Sequence, residues 1–252
     1  MTVKGKHIVV WFSCGAASAV AAKLTIEKYA KDNLVSVVNH PIKEEDPDNL
    51  RFLKDVSDWL DWPVIEWKNP KFPDASCVTV WDKRKAMSFP TGAPCTIELK
   101  KEARRSFETI FPVDWHVLGF TSDERNRFDR FVLNERDNVL PILIDAELDK
   151  QACMDLIMMD GLSLPAIYKK GFPNANCIGC VKATSPTYWN LVRKQYPDVF
   201  EERAEQSRRI GARLVRVKGE RLFLDELNPD AKGRPLKTMQ IDCGIFCEEP
   251  ER

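Results

Sequence analysis

The stretch His7 to Leu24, HIVVWFSCGAASAVAAKL, constrains the chain more than any other. A short apolar run breaks at Ser13-Cys14-Gly15 and restarts with the composition of a helix. Strand, tight turn of small residues, and helix must follow one another without a linker. A helix that begins at such a corner presents unpaired backbone N–H groups and the positive end of its dipole. The predicted site is therefore one for an anion, most naturally a phosphate, held by Ser13, Cys14, Gly15, Ala16, Ala17 and Ser18. Lys23, Glu27 and Lys28 continue the helical pattern past the apolar run, which predicts an internal strand–helix unit rather than an export signal.

The next segments repeat the theme. Leu34–Asn39 is rich in β-branched residues and predicts a second buried strand, and Asp46-Pro47 predicts a helix start. Phe52, Leu53, Val56, Trp59 and Leu60 place one apolar face on that helix. Residues 62–67, 115–120 and 139–144 predict three further strands. The expected fold is α/β, a five-stranded parallel sheet doubly wound with helices, with its ligand outside the carboxyl ends of the strands. Asn39 and the residues after it then face the same pocket as the Ser13–Ser18 loop. Residues 68–94 show no period and are expected to be an irregular excursion; residues 95–110 predict a helix with Lys100, Lys101, Arg104 and Arg105 clustered on part of its surface, a solvated face or, beside an anion pocket, the source of a phosphate contact. Residues 121–130 read as a charged loop, and Asp149 as the cap of a helix closed by Gly161. Residues 1–172 are expected to form the nucleotide-binding domain, and 173–252 a helical and cysteine-rich appendage with a hairpin around Lys218-Gly219-Glu220.

Composition narrows the function. Lys plus Arg and Asp plus Glu both count 38, so no global field draws the chain to nucleic acid or membrane. No apolar run approaches the roughly 20 residues of a membrane span, and a soluble, cytoplasmic protein is expected. Eight cysteines in such a chain predict reduced thiols rather than a disulfide framework. Cys177 and Cys180 form a CxxC, and Cys243 and Cys247 supply a second close pair. Zinc, an iron–sulfur cluster and a redox dithiol all suit such pairs, and spacing does not separate the metals. Cys153, inside an apolar helical pattern, is expected to pack.

Taken in order, these motifs resemble the phosphoadenosine phosphosulfate (PAPS) reductase family, within the adenine nucleotide α-hydrolase-like group that includes the PP-loop ATP pyrophosphatases. Residues 13–20 are similar to its phosphate or sulfate loop, and 47–60 to its second helix. Cys95-Thr96-Ile97-Glu98-Leu99-Lys100 is similar to its cysteine and lysine signature, and Gly119 followed by Glu124 and Arg127 to its glycine and arginine loop, which implies Lys100, Arg125 or Arg127 as the cation on the phosphate and sulfate. The closest match is Leu164-Pro165-Ala166-Ile167-Tyr168 with Gly171-Phe172 before the CxxC. The resemblance implies an adenine nucleotide ligand, adenylyl sulfate (APS), PAPS or ATP, and a thiol electron donor such as thioredoxin. In cluster-containing relatives a cysteine site pairs with a CxxC about eighty residues on, as Cys95 does with Cys177. That implies a [4Fe-4S] cluster on Cys95, Cys177 and Cys180, with Cys243 or Cys247 as the fourth ligand; a structural zinc is the alternative.

Asp242-Cys243-Gly244-Ile245 is similar to the tail that carries the reductases' catalytic cysteine, although Phe246 stands where they have histidine. The implied catalytic residues are Cys243, Lys100 and Arg127. Cys14 and Ala17 depart from the Ser-Gly-Gly-x-Asp-Ser loop of the pyrophosphatases, and Cys95 is followed by Thr96 where cluster-binding relatives carry a second cysteine. Two other readings remain: an ATP-dependent sulfur transferase acting on a base or nucleic acid, and a non-catalytic nucleotide-binding protein. A homo-oligomer is compatible with all three.

Overall fold

Strand β1 (His7–Phe12) is apolar on both faces because both are covered. The computed structural model describes residues 3–89 and 92–236. Ile8, Val10 and Phe12 point into one core with helix α1 (Ala16–Tyr29) and helix α2 (Asp48–Leu60). Val9 and Trp11 point into another, closed by Phe107. Strand β2 (Leu34–Asn39) pairs in parallel with β1 along its whole length, and β3 (Val64–Glu66) adds to its outer edge. On the other side of β1 lie β4 (Trp115–Val117) and then β5 (Val139–Leu140), also parallel. The order β3-β2-β1-β4-β5 reverses direction at β1 and β4. The α/β class and the five-stranded, all-parallel sheet expected from the sequence are both present, and the crevice at that reversal is where such sheets bind ligands.

Several local expectations need correction. Residues 68–94 are not wholly irregular: α3 (Cys77–Arg84) lies within them, its first turn capped by the Ser76 hydroxyl, which accepts from Thr79 N–H. The predicted helix over 95–110 is three pieces in one run: α4 (Pro94–Thr96), a π-helical turn (Ile97–Lys101) and α5 (Glu102–Ile110). Of its basic residues only Arg105 is exposed; Lys101 and Arg104 are buried, Arg104 against the Glu108 carboxylate. The loop after β4 contains a 3-10 turn (Ser122–Glu124) and α6 (Arg125–Asn134). The fifth strand is only two residues long, because Pro141 ends it and α7 (Ile142–Asp145) follows at once. At α2, Asp46 accepts from Asp48 N–H as expected of a cap, but Pro47 occupies the cap position itself.

The remaining elements follow the sequence closely. Asp149 caps α8 (Lys150–Met159), and Gly161 turns the chain with φ +85°. A short α9 (Ala166–Lys169) precedes the CxxC; Pro186 and Pro197 open α10 (Pro186–Gln195) and α11 (Pro197–Ile210). Strands β6 (Val215–Val217) and β7 (Glu220–Leu222) form the hairpin. Trp189, Val192, Phe200, Leu214 and Leu224 from this half pack in one core with Phe72, Val80, Trp81 and Met87. Among the described residues no helix is long and apolar enough to cross a membrane.

Candidate functional site at the strand ends

The loop between β1 and α1 is held in a strained shape. Cys14 has φ +53°, a left-handed conformation that a side chain makes costly, and it is buried. Ser18 folds back to fix the turn: its Oγ accepts from Ser13 N–H at 3.1 Å and donates to the Gly15 carbonyl at 3.0 Å. Gly119, just past β4, lies directly against it, and a Cβ there would stand 2.9 Å from Ser18 N and 3.2 Å from the Ala17 carbonyl carbon. No side chain fits without moving the loop. Tyr168 covers the helix start, its Oη a long 3.4 Å from Ala16 N–H. Burial pushes that phenol up to about 12, which keeps it a neutral donor and acceptor.

Asn39 ends β2 beneath this loop, donating to the Phe12 carbonyl at 2.8 Å and to Cys14 Sγ at 3.5 Å. Burial holds the Cys14 thiol far above its ordinary range, so it is a packing group and not a nucleophile. Lys100, from the π-helical turn, reaches in from the other side. Its Nζ is 3.9 Å from the buried Glu45 carboxylate, and its charge acts on Cys14, on His40 and on Cys95. π turns often mark functional positions. Here the turn carries Lys100 from the strand-end loop toward the cysteines.

Cys95 sits at the head of that run. Cys77, at the first position of α3, interacts with both Cys95 and Cys177. Within this group Cys77 is held protonated and Cys95 is pulled below the usual thiol range, by its bond from Cys77 first and then by Trp81, Lys182 and Lys100. Cys180 lies in the same buried core. Tyr188 locks the CxxC turn, its Oη accepting from Cys180 N–H at 2.8 Å and donating to the Cys177 carbonyl at 3.3 Å. Glu44 brackets the two cysteine segments: its carboxylate accepts from Ser76 Oγ and Cys77 N–H, and its carbonyl accepts from Ile178 N–H. Among the described residues no three His, Cys, Asp or Glu side chains are spaced around a common metal position, and none of the cysteines is in a disulfide.

The expected site residues are thus distributed unevenly. Ser13 to Ser18, Asn39, Gly119 and Lys100 converge at the strand ends, and Cys95 and Cys177 meet beside them. Glu124 and Arg127 form an ion pair on the turn after β4, where Glu124 also accepts from the Thr121 hydroxyl and Arg127 lies over the Phe120 ring. Arg125 stands outward, 3.2 Å from Asp129. Cys243 and Cys247 lie outside the described residues. Cys153 packs in α8 as expected, burial raising its thiol to about 12. Cys77 and Glu44 were missed; the Ser76 cap followed by Val80 and Trp81 at helical spacing was the available signal. No protein-family model matches the chain, and no curated protein does.

Proposed function

We propose that the chain is an enzyme of sulfur chemistry, similar to the PAPS reductases and of the adenine nucleotide α-hydrolase-like fold, which binds an adenylyl nucleotide at the strand ends. One observation carries this reading: Lys100 stands on the π-helical turn that begins two residues after Cys95, with its Nζ 3.9 Å from the buried Glu45 carboxylate, where its charge acts on Cys14 of the anion loop as well as on Cys95. A nucleotide whose phosphate rests on the loop brings its sulfur-bearing end toward reactive thiols.

An iron–sulfur group at the cysteines is what the resemblance implies; among the described residues no three His, Cys, Asp or Glu side chains are grouped around one metal position, and the reading draws on the chemistry of the donors. Cys77, Cys95 and Cys177 bring thiols here beside the Glu44 carboxylate, the Trp81 indole N–H is buried without a partner inside hydrogen-bond distance, and its influence falls on Cys95. Hydrogen bonds to ligand sulfurs are a usual feature of such sites. By the resemblance, Cys95, Cys177 and Cys180 would hold the group, and a [4Fe-4S] cluster would supply a redox-active centre.

The chemistry then follows from the chain's own groups. Backbone N–H groups of residues 13–18 and the Lys100 ammonium neutralise the phosphate and sulfate. The Cys243 thiolate attacks the sulfate sulfur; an S–S bond forms, the sulfur–oxygen bond to the nucleotide breaks, and the nucleoside phosphate leaves with the electron pair, supported by Lys100 and Arg127. A donor thiolate next attacks the Cys243 sulfur, expelling sulfite as a disulfide forms. Two thiols are oxidised for each sulfate reduced. The test is an anaerobic assay with APS and PAPS plus a dithiol donor. Sulfite release that vanishes in Cys243→Ser is expected; an intact rate in that variant overturns the assignment. Pyrophosphate or AMP formed from ATP only with an acceptor base would move the reaction to sulfur transfer on the same site.

A further inference from the structure

Residues 208–221, RRIGARLVRVKGER, hold six basic residues and one acidic one in a chain whose net formal charge is zero. Two of the six are neutralised: Arg208 pairs with Asp225 and Glu226, and Arg209 with Asp82. Arg213, Arg216, Lys218 and Arg221 are exposed, and among the described residues no carboxylate pairs with any of them.

The hairpin sets two of these charges against each other. Lys218 and Gly219 both have positive φ, +49° and +93°, as a two-residue type I′ turn requires, and the register opposes Arg216 to Arg221. Arg216 N–H points away from β7 and donates to the Thr184 carbonyl at 2.8 Å, so the two arginines form a non-hydrogen-bonded pair, the kind whose side chains stand closer. Like charges directly opposite destabilise such a ribbon, and a carboxylate at either position would turn that cost into a gain. The flanking pairs, Val215 with Leu222 and Val217 with Glu220, point to the other face, so the single acid does not stand between the arginines. Arg221 Nη1 donates to the Arg213 carbonyl at 3.3 Å, and the Arg213 guanidinium lies 5.2 Å over the Phe223 ring, which joins a third cation to the pair.

The platform is anchored. Leu214, Val215 and Leu224 are buried in the core that holds Trp81 and Trp189, and Thr184 ties β6 to the segment just after the CxxC. The turn itself stands in open space, with nothing within 4 Å of a Cβ on Gly219. Three of the four unpaired cations are arginine, whose planar fork matches a phosphate with two hydrogen bonds. Among the described residues no large exposed apolar side chain lies on this hairpin, so a lipid surface would find charge and no anchor. A duplex offers one phosphate charge per ~1.7 Å of its axis, and its major groove admits a two-stranded ribbon.

We propose that the hairpin, with Arg213, Arg216, Lys218 and Arg221, is a docking surface for the phosphate backbone of double-stranded nucleic acid. Such contacts position a duplex and carry no base sequence. The surface shares no residue with the strand-end loop, so the assignment stands or falls apart from the nucleotide reading.

The test is fluorescence anisotropy of a labelled DNA duplex, and of one of its single strands, titrated with the full-length protein between about 50 and about 200 mM salt. Wild type is expected to bind the duplex more tightly than the strand, the logarithm of the affinity falling by about 3 to 4 per decade of salt, since each neutralised phosphate contributes about 0.9. Arg216→Gln/Arg221→Gln is expected to weaken duplex binding about tenfold or more and to flatten that slope by about 2. Its urea midpoint should be at or above that of wild type, because a like-charge pair is relieved. Lys4→Gln/Lys54→Gln removes the same net charge from lysines that pair with Asp32 and Asp58, and should leave binding nearly unchanged. Absence of duplex binding by wild type, preference for the single strand, or equal affinities of the two double variants overturns the assignment.

Discussion

Acidification from pH 6.5 to 4.5 is expected to cost this fold about 3 to 5 kcal/mol, through two buried histidines. His40 is stacked on Trp11 with Nδ1 on the Trp67 carbonyl, and its Nε2 is buried without a partner. His116 is fully buried, and its Nδ1 accepts from the Trp11 indole at 3.1 Å, a bond that only the neutral ring can make. Burial, aided by Lys100 and Arg104 at His40 and by Arg136 and Arg104 at His116, lowers the two rings from 6.5 to about 4 and about 3. Their folded values lie below the unfolded ones, so between pH 6.5 and 4 the unfolded chain binds more protons. Stability is untouched above that window and is lost as pH falls through it.

Each ring contributes at most about 1.4 kcal/mol per pH unit. Glu45 works in the opposite direction, since its burial raises its carboxyl and protonation relieves it. That is why the lower end of the range is quoted. Against a total folding free energy of about 5 to 15 kcal/mol the loss is large. Urea midpoints at pH 7.5 and 4.5 would read it directly, and His40→Asn should flatten the profile. A midpoint independent of pH across that interval contradicts the burial of both rings.

Removing the indole of Trp189 is expected to cost about 3 to 5 kcal/mol. The side chain is fully buried in the core that joins α10 and α11 to α3, in edge contact with Tyr188, and its Nε1 donates to the Ala183 carbonyl at 2.7 Å. Trp189→Ala leaves a cavity and a buried carbonyl without its partner. Trp189→Phe keeps most of the volume and should cost about 1 to 2 kcal/mol. Because Tyr188 fixes Cys177 and Cys180 through its hydroxyl, the alanine variant should also loosen the CxxC turn. Equal urea midpoints for wild type and Trp189→Ala would show that this core does not hold the cysteine segment.

How far the sequence could be read depended on how local the determinants were. β1, β2 and α1 were legible because apolar runs, β-branched residues and a small-residue corner act within a few positions. Asp149, Ser185-Pro186 and Gly211 announced helix ends by their own chemistry. The fifth strand was overread since the apolar run continues past Pro141, and the pattern alone does not say which residues pair. The helix at Cys77 was passed over because its short span lies among prolines and lysines, and its cap by Ser76 is reinforced by Glu44 from a distant loop. The strand-end loop was legible as a motif, and so was the CxxC. That Cys77 should meet Cys95 and Cys177 depends on contacts between segments far apart in sequence. No periodicity encodes those.

The most direct measurement of the central claim is equilibrium binding of adenosine 5′-phosphosulfate to the anaerobic protein, compared with Gly119→Ala. One added Cβ presses on Ser18 N and the Ala17 carbonyl carbon, inside the loop that is to hold the phosphate, and has no atom of Cys95 or the CxxC among its nearest neighbours. Such a clash costs about 1 to 3 kcal/mol. The account predicts saturable binding, one nucleotide per chain, weakened about tenfold or more by Gly119→Ala with iron content unchanged. Absence of binding by the wild-type chain, or equal affinity in the variant, would contradict it.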